Sequence, residues 1–555
     1  MSESGNKRGP TTSKQRTPKG KSFCSPLAIF GIGLIIAQLV IFNIGISFFH
    51  GNTPISTQQS PNQQRLTGNA LPAPRTSSSS FSSRRRPDRR RSSNTPDPHS
   101  DGTFNGYPIY YREEQDRFST AHCVGENYQE GKAWLHRSCQ FSFLCFDTQA
   151  REYVLYQNPQ ERQLYPHLDK RPFLDVSQSY MKQGTNRSNT VALGGINLKW
   201  GWKEGGILRL EWFPRINTNT SPNDTISYYE LPPQVVMVPF HSMNGANPGH
   251  LVWDDFLPIY TLMTMFQLED KELLMMRYVL KGEERGLWAS CDWKQEKRED
   301  CDKMQQKFLP LMLGVDPIHN LTSTETFNFK PKDGHSKSYL VCARHGLGGI
   351  GALTDHGTNK LHGWEDADYR TTHNHGRGGL LYEFRNYMMS NLGFPLEFQH
   401  KAPFRIIFSE KSSNIPSRYI DFTSQIDFLR HSFNSKYVTV ESYVFKDMSL
   451  IDQIEIASQA AIFITGSGGG AVTATFLPKG ASVLIYFLED GGVIGNRDTG
   501  KPARLDWDLF NNLAYVKVHW LPKRTMHTEP DMLALKFLVQ HELDALIREN
   551  NYDFF

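Results

Sequence analysis

A chain of 555 residues has room for two or three domains, and its formal charge of +4, from 61 basic against 57 acidic side chains, is too small to argue for a nucleic-acid partner. Much of even that excess sits at the N-terminal end, where Lys7, Arg8, Lys14, Arg16, Lys19 and Lys21 face a single acid, Glu3. Residues 27–49 follow, reading LAIFGIGLIIAQLVIFNIGISFF. They carry no charge and are long enough to cross a bilayer as one helix. A cleavable signal peptide would have a shorter apolar core with small residues at a cleavage site just beyond it. Neither feature is present, so the segment reads as an uncleaved signal-anchor. The basic flank lies before it, which makes residues 1–26 a cytoplasmic tail and puts the rest of the chain on the luminal or extracellular side.

Residues 51–106 are dominated by Ser, Pro, Thr, Gln and Arg. Such a segment buries too little apolar surface to offset its ordering entropy and reads as a disordered stem. Its run RRRPDRRR, residues 84–91, is ordinary solvated charge, a polyanion-binding patch or a processing site. Cys24 abuts the membrane span, and the other six cysteines, Cys123, Cys139, Cys145, Cys291, Cys301 and Cys342, all follow it. An even number in an oxidising compartment predicts disulfides, with fifteen pairings open. Zinc is the weaker reading, because no pair has the close spacing of a zinc knuckle. Sequons at Asn186, Asn219, Asn223 and Asn320 fit a glycosylated luminal domain.

The segment HCVGENYQEGKAWLHRSCQFSFLCFD carries three of the six cysteines and reads as a small stapled module opening an N-terminal half, residues 107–345. Within that half, ILRLEWF and QVVMVPF read as strands, and GHLVWDDFLPIYTLMTMFQL reads as a helix that is interrupted near Pro258 or starts there. His250 and Asp254 are four apart, so on a helix they share a face and suit a carboxylate-oriented base. The bland alternative is a helix-start histidine beside a solvated acid. Asp255 falls on another face.

A C-terminal half, residues 346–550, has a more regular pattern. The strands FRIIFS, YVTVESYVF, AAIFITG and ASVLIYFL alternate with the helical stretches DFTSQIDFLRHSF and SLIDQIEIASQ, which predicts βαβ units and a parallel sheet. AAIFITG runs into GSGGG and a short helix. Glycines at the carboxyl end of a parallel strand, followed at once by a helix, expose backbone amides suited to a phosphate. A tight turn alone is the rival. Gly466, Gly468 and Ala471 also fit a dinucleotide fingerprint, but that motif normally opens a domain. Thr465 breaks the nucleophile-elbow pattern around Ser467. Lys411 and Arg418 flank a loop after FRIIFS and are placed to reach phosphates, or are surface charge. Asp366-Ala367-Asp368 and Asp506-Trp507-Asp508 spell D-x-D, which occurs about this often by chance, and the histidines between His335 and His375 have no standard metal spacing. No obligatory metal and no cofactor are expected.

Several of these stretches, in this order, resemble the family 61 glycosyltransferases, which include plant xylosyl- and arabinosyltransferases and the EGF-domain O-linked N-acetylglucosamine transferase of animals. GSGGGAVTATFLPKGASVLIYF is similar to their HGAGLTNLLFLPPGAVVIEI signature. RSCQFSFLCFD, NPGHLVWDDFLPIYTL, YLVCARHGLGGIGAL, GGLLYEFRNYMMSNLG and RIIFSEKSSNIPSRYI resemble further family segments, and the similarity runs from about Cys123 to Leu543. The resemblance implies an α/β GT-B-like fold with two Rossmann-like halves. It further implies a nucleotide-sugar donor in the xylose, arabinose or N-acetylglucosamine class, a glycan or glycoprotein acceptor, and inversion at the anomeric carbon. Golgi or endoplasmic reticulum membrane is the expected location. It casts His250 and Asp254 as catalytic, and Lys411, Arg418, Ser467, Gly468, Gly469 and Gly470 as donor-binding. Two departures stand out: Ser467 occupies the place of the family histidine, and Glu410 and Lys411 stand where the family has an arginine. A catalytically inactive relative that binds glycans or nucleotide sugars is the alternative.

Overall fold

The structure is a computed structural model. It describes residues 97–124, 137–158, 180–182, 191–193, 199–200, 206–207, 210–217, 225–242, 245–279, 291–292, 294–314, 322–332, 338–349, 376–410, 419–487, 495–496, 501–502 and 509–552. All of these belong to one unit, Arg84–Phe555. Residues 1–26, the apolar span 27–49, most of the stem and the four sequons lie outside the described residues. Among the described residues, no helix is long and apolar enough to cross a membrane.

The N-terminal half is built on a 12-stranded mixed sheet. Its strands are β1 (Gly102–Phe104), β2 (Tyr107–Gln115), β3 (Thr120–Val124), β4 (Ser138–Asp147), β5 (Glu152–Tyr156) and β6 (Arg215–Asn217), followed by β7 (Thr225–Glu230), β8 (Val235–Phe240), β9 (Glu272–Arg277), β10 (Thr322–Ser323), β11 (Phe329–Pro331) and β12 (Leu340–Gly348). The main order is β6-β5-β4-β12-β7-β2-β1-β11, with β8, β9 and β10 continuing from β12 and β3 pairing β4. β12 is the organising strand. One edge runs antiparallel to β4 from Leu340–Asp147 to Gly348–Cys139. The other edge is shared. Val341 and Cys342 pair with Tyr229 and Glu230 of β7, then His345 and Gly346 pair with Val236 and Met237 of β8, both in parallel. The parallel run therefore continues through β8, β9 and β10 while antiparallel strands complete the other side.

The structure resolves the cysteine pairing as Cys123–Cys139, Cys145–Cys342 and Cys291–Cys301. The first two join residues directly opposite one another on paired strands. The cysteine-rich segment supplies the end of β3 and all of β4, and Cys145 ties it to β12, so it is integral to the sheet rather than appended to it. The Cys145–Cys342 bridge closes a separation of 197 residues in the buried centre of the sheet. Chain-entropy arguments give such a closure about 3–5 kcal/mol. Replacing both cysteines with alanine is expected to cost that much in denaturant unfolding under oxidising conditions. A loss under about 1 kcal/mol would show that the sheet registers itself without the bridge.

The C-terminal sheet has five parallel strands, β13 (Phe404–Ser409), β14 (Val438–Tyr443), β15 (Ile462–Gly466), β16 (Ser482–Phe487) and β17 (Lys517–Pro522), in the order β14-β13-β15-β16-β17. The inner strands are apolar at consecutive positions because both faces are covered. Ile406, Phe408, Ile462 and Ile464 meet helices Thr423–Ser432 and Glu529–Tyr552 on one face. Ile407, Phe463, Val483 and Ile485 meet helices Gly378–Asn391 and Leu450–Ala457 on the other. Helix Leu450–Ala457 is capped by Ser449, whose hydroxyl accepts from the Asp452 amide, and it buries Leu450, Ile454 and Ala457 as the spacing predicts. The strand order reverses between β13 and β15, so the connections after these neighbours leave toward opposite faces. A crevice outside the carboxyl ends of such a pair is where open α/β sheets take ligands.

Candidate active site

The glycine turn lies at that reversal. β15 ends at Gly466, and the chain turns through Ser467 and Gly468 into a 3-10 helix, Gly469–Phe476, tighter than the α-helix the sequence suggests. Ser467 N donates to the Tyr486 carbonyl at 2.8 Å, which extends the sheet by one bond, and Ala471 N donates to the Gly468 carbonyl at 2.8 Å. Gly468 has φ +113° and ψ −168°. Only glycine takes that combination without strain. On the other side of the reversal, β13 ends at Ser409, whose buried hydroxyl has no hydrogen-bond partner among the described residues. Lys411 and Arg418 follow this strand end in sequence but lie outside the described residues.

The second part of the site comes from the N-terminal half. After β8 the chain turns at Asn247-Pro248-Gly249. The Asn247 side-chain oxygen accepts from Gly249 N at 3.0 Å, and Leu251 N donates to the Asn247 carbonyl at 3.0 Å. A wide π-helical turn, His250–Phe256, then tightens into an α-helix, Leu257–Met265, with Pro258 in its first turn. Leu257 N still donates to the Val252 carbonyl, and Pro258 cannot continue that ladder, so the proline falls where the wide turn changes to the α-helix. The sequence offered an interrupted helix or one starting at Pro258, and the chain does both. Widened turns of this kind are frequent at functional sites.

On this turn His250 Nδ1 stands 2.7 Å from Asp254 Oδ2. The Asp254 side chain is fully buried and the His250 side chain is 14% exposed, so the dyad has a protected acid and an accessible ring. With Nδ1–H donating to the carboxylate, the imidazole lone pair is on Nε2. Asp255 turns elsewhere, as its position in the helix predicts, and accepts a hydrogen bond from Ser242 Oγ. Burial pushes the Asp255 carboxyl well above the usual carboxylate range. The Ser242 bond opposes the shift and the neighbouring Asp254 adds to it. Two adjacent carboxyls thus occupy different environments, one paired with histidine and one bonded to Ser242 with its pKa raised by burial.

The two motifs touch. A β-carbon on Gly469 would stand 2.2 Å from Asn247 Oδ1, and one on Gly249 would stand 3.3 Å from the Gly469 Cα. The backbones approach this closely only because both residues lack side chains. Trp253 Nε1 donates to Thr475 Oγ1 at 3.2 Å across 222 residues of sequence, and its ring packs edge-on against Phe510. The dyad is therefore docked on the glycine turn of the other sheet. The sequence points to His250, Asp254 and Ser467–Gly470 as site residues, and to Asn247 only as the start of the N-x-x-H-x-x-x-D motif; Asn247 and Trp253 carry the contact. The sequence does not single out Arg385, a fully buried guanidinium on helix Gly378–Asn391. Arg385 donates to the Leu477 carbonyl at 3.0 Å and the Leu396 carbonyl at 2.7 Å, fixing the end of the 3-10 helix. Its burial lowers its pKa. Both D-x-D triplets lie outside the described residues, and among the described residues no group of three or more His, Cys, Asp or Glu is arranged to hold a metal.

No family model matches the sequence. The chain is similar to proteins named protein O-linked-mannose beta-1,4-N-acetylglucosaminyltransferase 2. Identity is 24% over 368 residues with the Xenopus laevis protein, 22% over 363 with that of Danio rerio and 22% over 365 with that of Canis lupus familiaris. Each comparison covers 64% of this chain and 51% of the relative, so the chain spans about half the length of the relatives it matches. A solved structure, the E. coli heptosyltransferase WaaC with ADP, matches at 11% identity with a TM-score of 0.23, covering 56% of this chain and 99% of that one. By sequence, then, the chain is similar to glycosyltransferases, in the coarse class that the motif resemblance implied.

Proposed function

We propose that the protein is an inverting glycosyltransferase that moves a sugar from a nucleotide-sugar donor to a glycan or glycoprotein acceptor without an obligatory metal. The observation that carries this reading is the contact between the Asn247–Asp254 turn and the glycine turn at the strand-order reversal. It sets a histidine–carboxylate dyad beside backbone amides suited to a diphosphate. In this reading the two sheets act as the halves of a GT-B-like enzyme. Amides of Gly468–Gly470, with Lys411 and Arg418, hold the donor diphosphate. His250 Nε2 takes the proton from the acceptor hydroxyl as the new bond to the anomeric carbon forms. The bond to the diphosphate breaks on the opposite side, and the nucleoside diphosphate leaves with that electron pair. Asp254 orients the ring and stabilises the imidazolium.

The relatives' names make N-acetylglucosamine the first sugar to test. A panel of nucleotide sugars should include one that raises the melting temperature of the full-length protein. A ligand at a hundred times its dissociation constant adds about 2.7 kcal/mol. UDP-N-acetylglucosamine is expected to give the largest shift, and no shift with any donor would end the reading. Ser467, in place of the family histidine, favours a second reading in which the protein binds a donor and does not turn it over. A thermal shift without nucleoside diphosphate release in the presence of acceptors would establish that version. The signal-anchor, the luminal orientation and the Golgi or endoplasmic reticulum location belong to the proposal. They predict that protease added outside intact microsomes leaves residues 97–552 uncut.

A further inference from the structure

The shared edge of β12 creates a second feature, away from the dyad. β7 leaves that edge after Leu231, whose N still donates to the Cys342 carbonyl at 2.9 Å, and β8 joins it at Val236, so Pro232–Gln234 step out of the ladder. The step opens a cavity of about 280 Å³ walled by Pro108, Pro232, Pro233, Arg112, Glu230 and Arg344. It lies at the amino end of β8, whereas the dyad follows the carboxyl end. That is about 20 Å apart along a six-residue strand, and the cavity shares no residue with the proposed transfer site.

The charge arrangement is unusual for a structural ion pair. Glu230 is nearly buried and uses both oxygens: Oε2 accepts from Arg112 Nε at 3.1 Å and Oε1 from Arg344 Nε at 2.6 Å. One carboxylate thus holds two guanidiniums side by side. Both arginines are about half exposed, 46% and 51%, and no Nη of either has a partner among the described residues. Two guanidiniums against Glu230 leave one positive charge in the trio, with the Glu114 carboxylate also acting on Arg344, and the arginines keep two sets of forked donors, the geometry that takes a carboxylate or sulfate in bidentate fashion. The Tyr110 hydroxyl beside them is already committed to Asp97 and does not compete for the donors. Three prolines, Pro108, Pro232 and Pro233, line the same cavity, and their rigid apolar faces suit the C–H face of a pyranose. The volume falls just short of the roughly 300 Å³ at which ligand pockets begin, which limits the occupant to a single small unit such as one monosaccharide.

We propose that this cavity binds an acidic sugar unit, a hexuronate or sulfated monosaccharide, with the guanidinium forks on the anion and the prolines against the ring. The site does not depend on the transferase reading. The test is calorimetry on the full-length protein with methyl β-glucuronide, methyl β-glucoside, inorganic sulfate and inorganic phosphate. Glucuronide should bind at least tenfold tighter than the glucoside and than either inorganic ion. Arg112→Gln and Arg344→Gln should each weaken glucuronide at least tenfold. Arg112→Lys and Arg344→Lys keep the charge on Glu230 and lose the fork, so they should also weaken it several-fold while the melting temperature holds. Equal binding of glucuronide and glucoside, or no binding of either, overturns the site. Inorganic ions binding as tightly as the glucuronide overturn the sugar assignment. Lysine variants that fold and bind unchanged place the ligand elsewhere.

Discussion

Asp254→Asn and His250→Ala are each expected to lower turnover about 10²–10⁴-fold, the usual contribution of a positioned acid or base. His250 Nδ1 and Asp254 Oδ2 are in contact at 2.7 Å. Asparagine is nearly the same size as aspartate, so Asp254→Asn should leave the packing of the buried side chain almost intact. What changes is chemistry. An amide cannot stabilise an imidazolium by charge, and its NH₂ can force the ring into the tautomer with the proton on Nε2, where a base needs its lone pair. His250→Ala removes the base outright. Donor binding should survive in both variants, because neither residue is assigned to the diphosphate. The readouts are initial rates with saturating donor and acceptor, and thermal shift with donor alone. Near-wild-type rates in both variants would remove the dyad from the mechanism. Loss of donor-dependent stabilisation together with rate would instead show that the dyad builds the donor pocket. Asp255→Asn is the control: its carboxyl faces Ser242 and not His250, and burial already raises its pKa, so an amide there should cost little activity.

This site was partly legible because its chemistry is local. His250 and Asp254 are one helical turn apart, and their spacing survives even in a π-helical turn. The parallel strands of the C-terminal sheet were legible for the same reason, since strands buried on both faces are written as continuous apolar runs. β17 escaped because it carries Lys517, His519 and Trp520 on a half-buried edge, so KVHWLP does not read as a core strand. Much of the N-terminal sheet escaped for a related reason. Strands such as β2, YPIYYREEQ, have one polar face, and their partners lie up to hundreds of residues away. The disulfide pairing was illegible on the same grounds: Cys145 meets Cys342 through the register of β4 and β12, which no spacing encodes. Nor could spacing reveal the docking of Asn247 on Gly469, a contact that decides whether two motifs form one site. The hint lay in residue types. Gly249 before the histidine and Gly469 in the knot are both places where a side chain was given up, and the structure shows each opposite the other.

That contact sets the second large expectation. Gly468→Val should abolish donor binding while the protein stays folded. At φ +113° and ψ −168° a β-branched residue costs about 1–3 kcal/mol or forces the turn to another conformation, which would move the amides proposed to hold the diphosphate. Gly469→Ala acts differently. Its new methyl would meet Asn247 Oδ1 at 2.2 Å, so the Asn247 amide must give up its bond to Gly249 N and swing aside, or the Asn247–Asp254 turn must back away from the knot. If the two turns form one site, this single methyl should lower turnover sharply while the isolated knot keeps its shape. Asn247→Gly in the Gly469→Ala background removes the clashing atom and should restore part of the activity, a coupling that a double-mutant cycle would register. Ser467→Ala should be milder, about 1 kcal/mol in donor binding, because the amides remain. Ser467→His restores the residue that the resemblance leads one to expect, and donor binding should survive or strengthen if the hydroxyl stands in for an imidazole. Calorimetry with the stabilising nucleotide sugar decides among these. Should Gly468→Val bind donor normally, the knot is a turn and nothing more. Should Gly469→Ala turn over normally, the dyad works without the knot, and the two motifs are neighbours rather than one site.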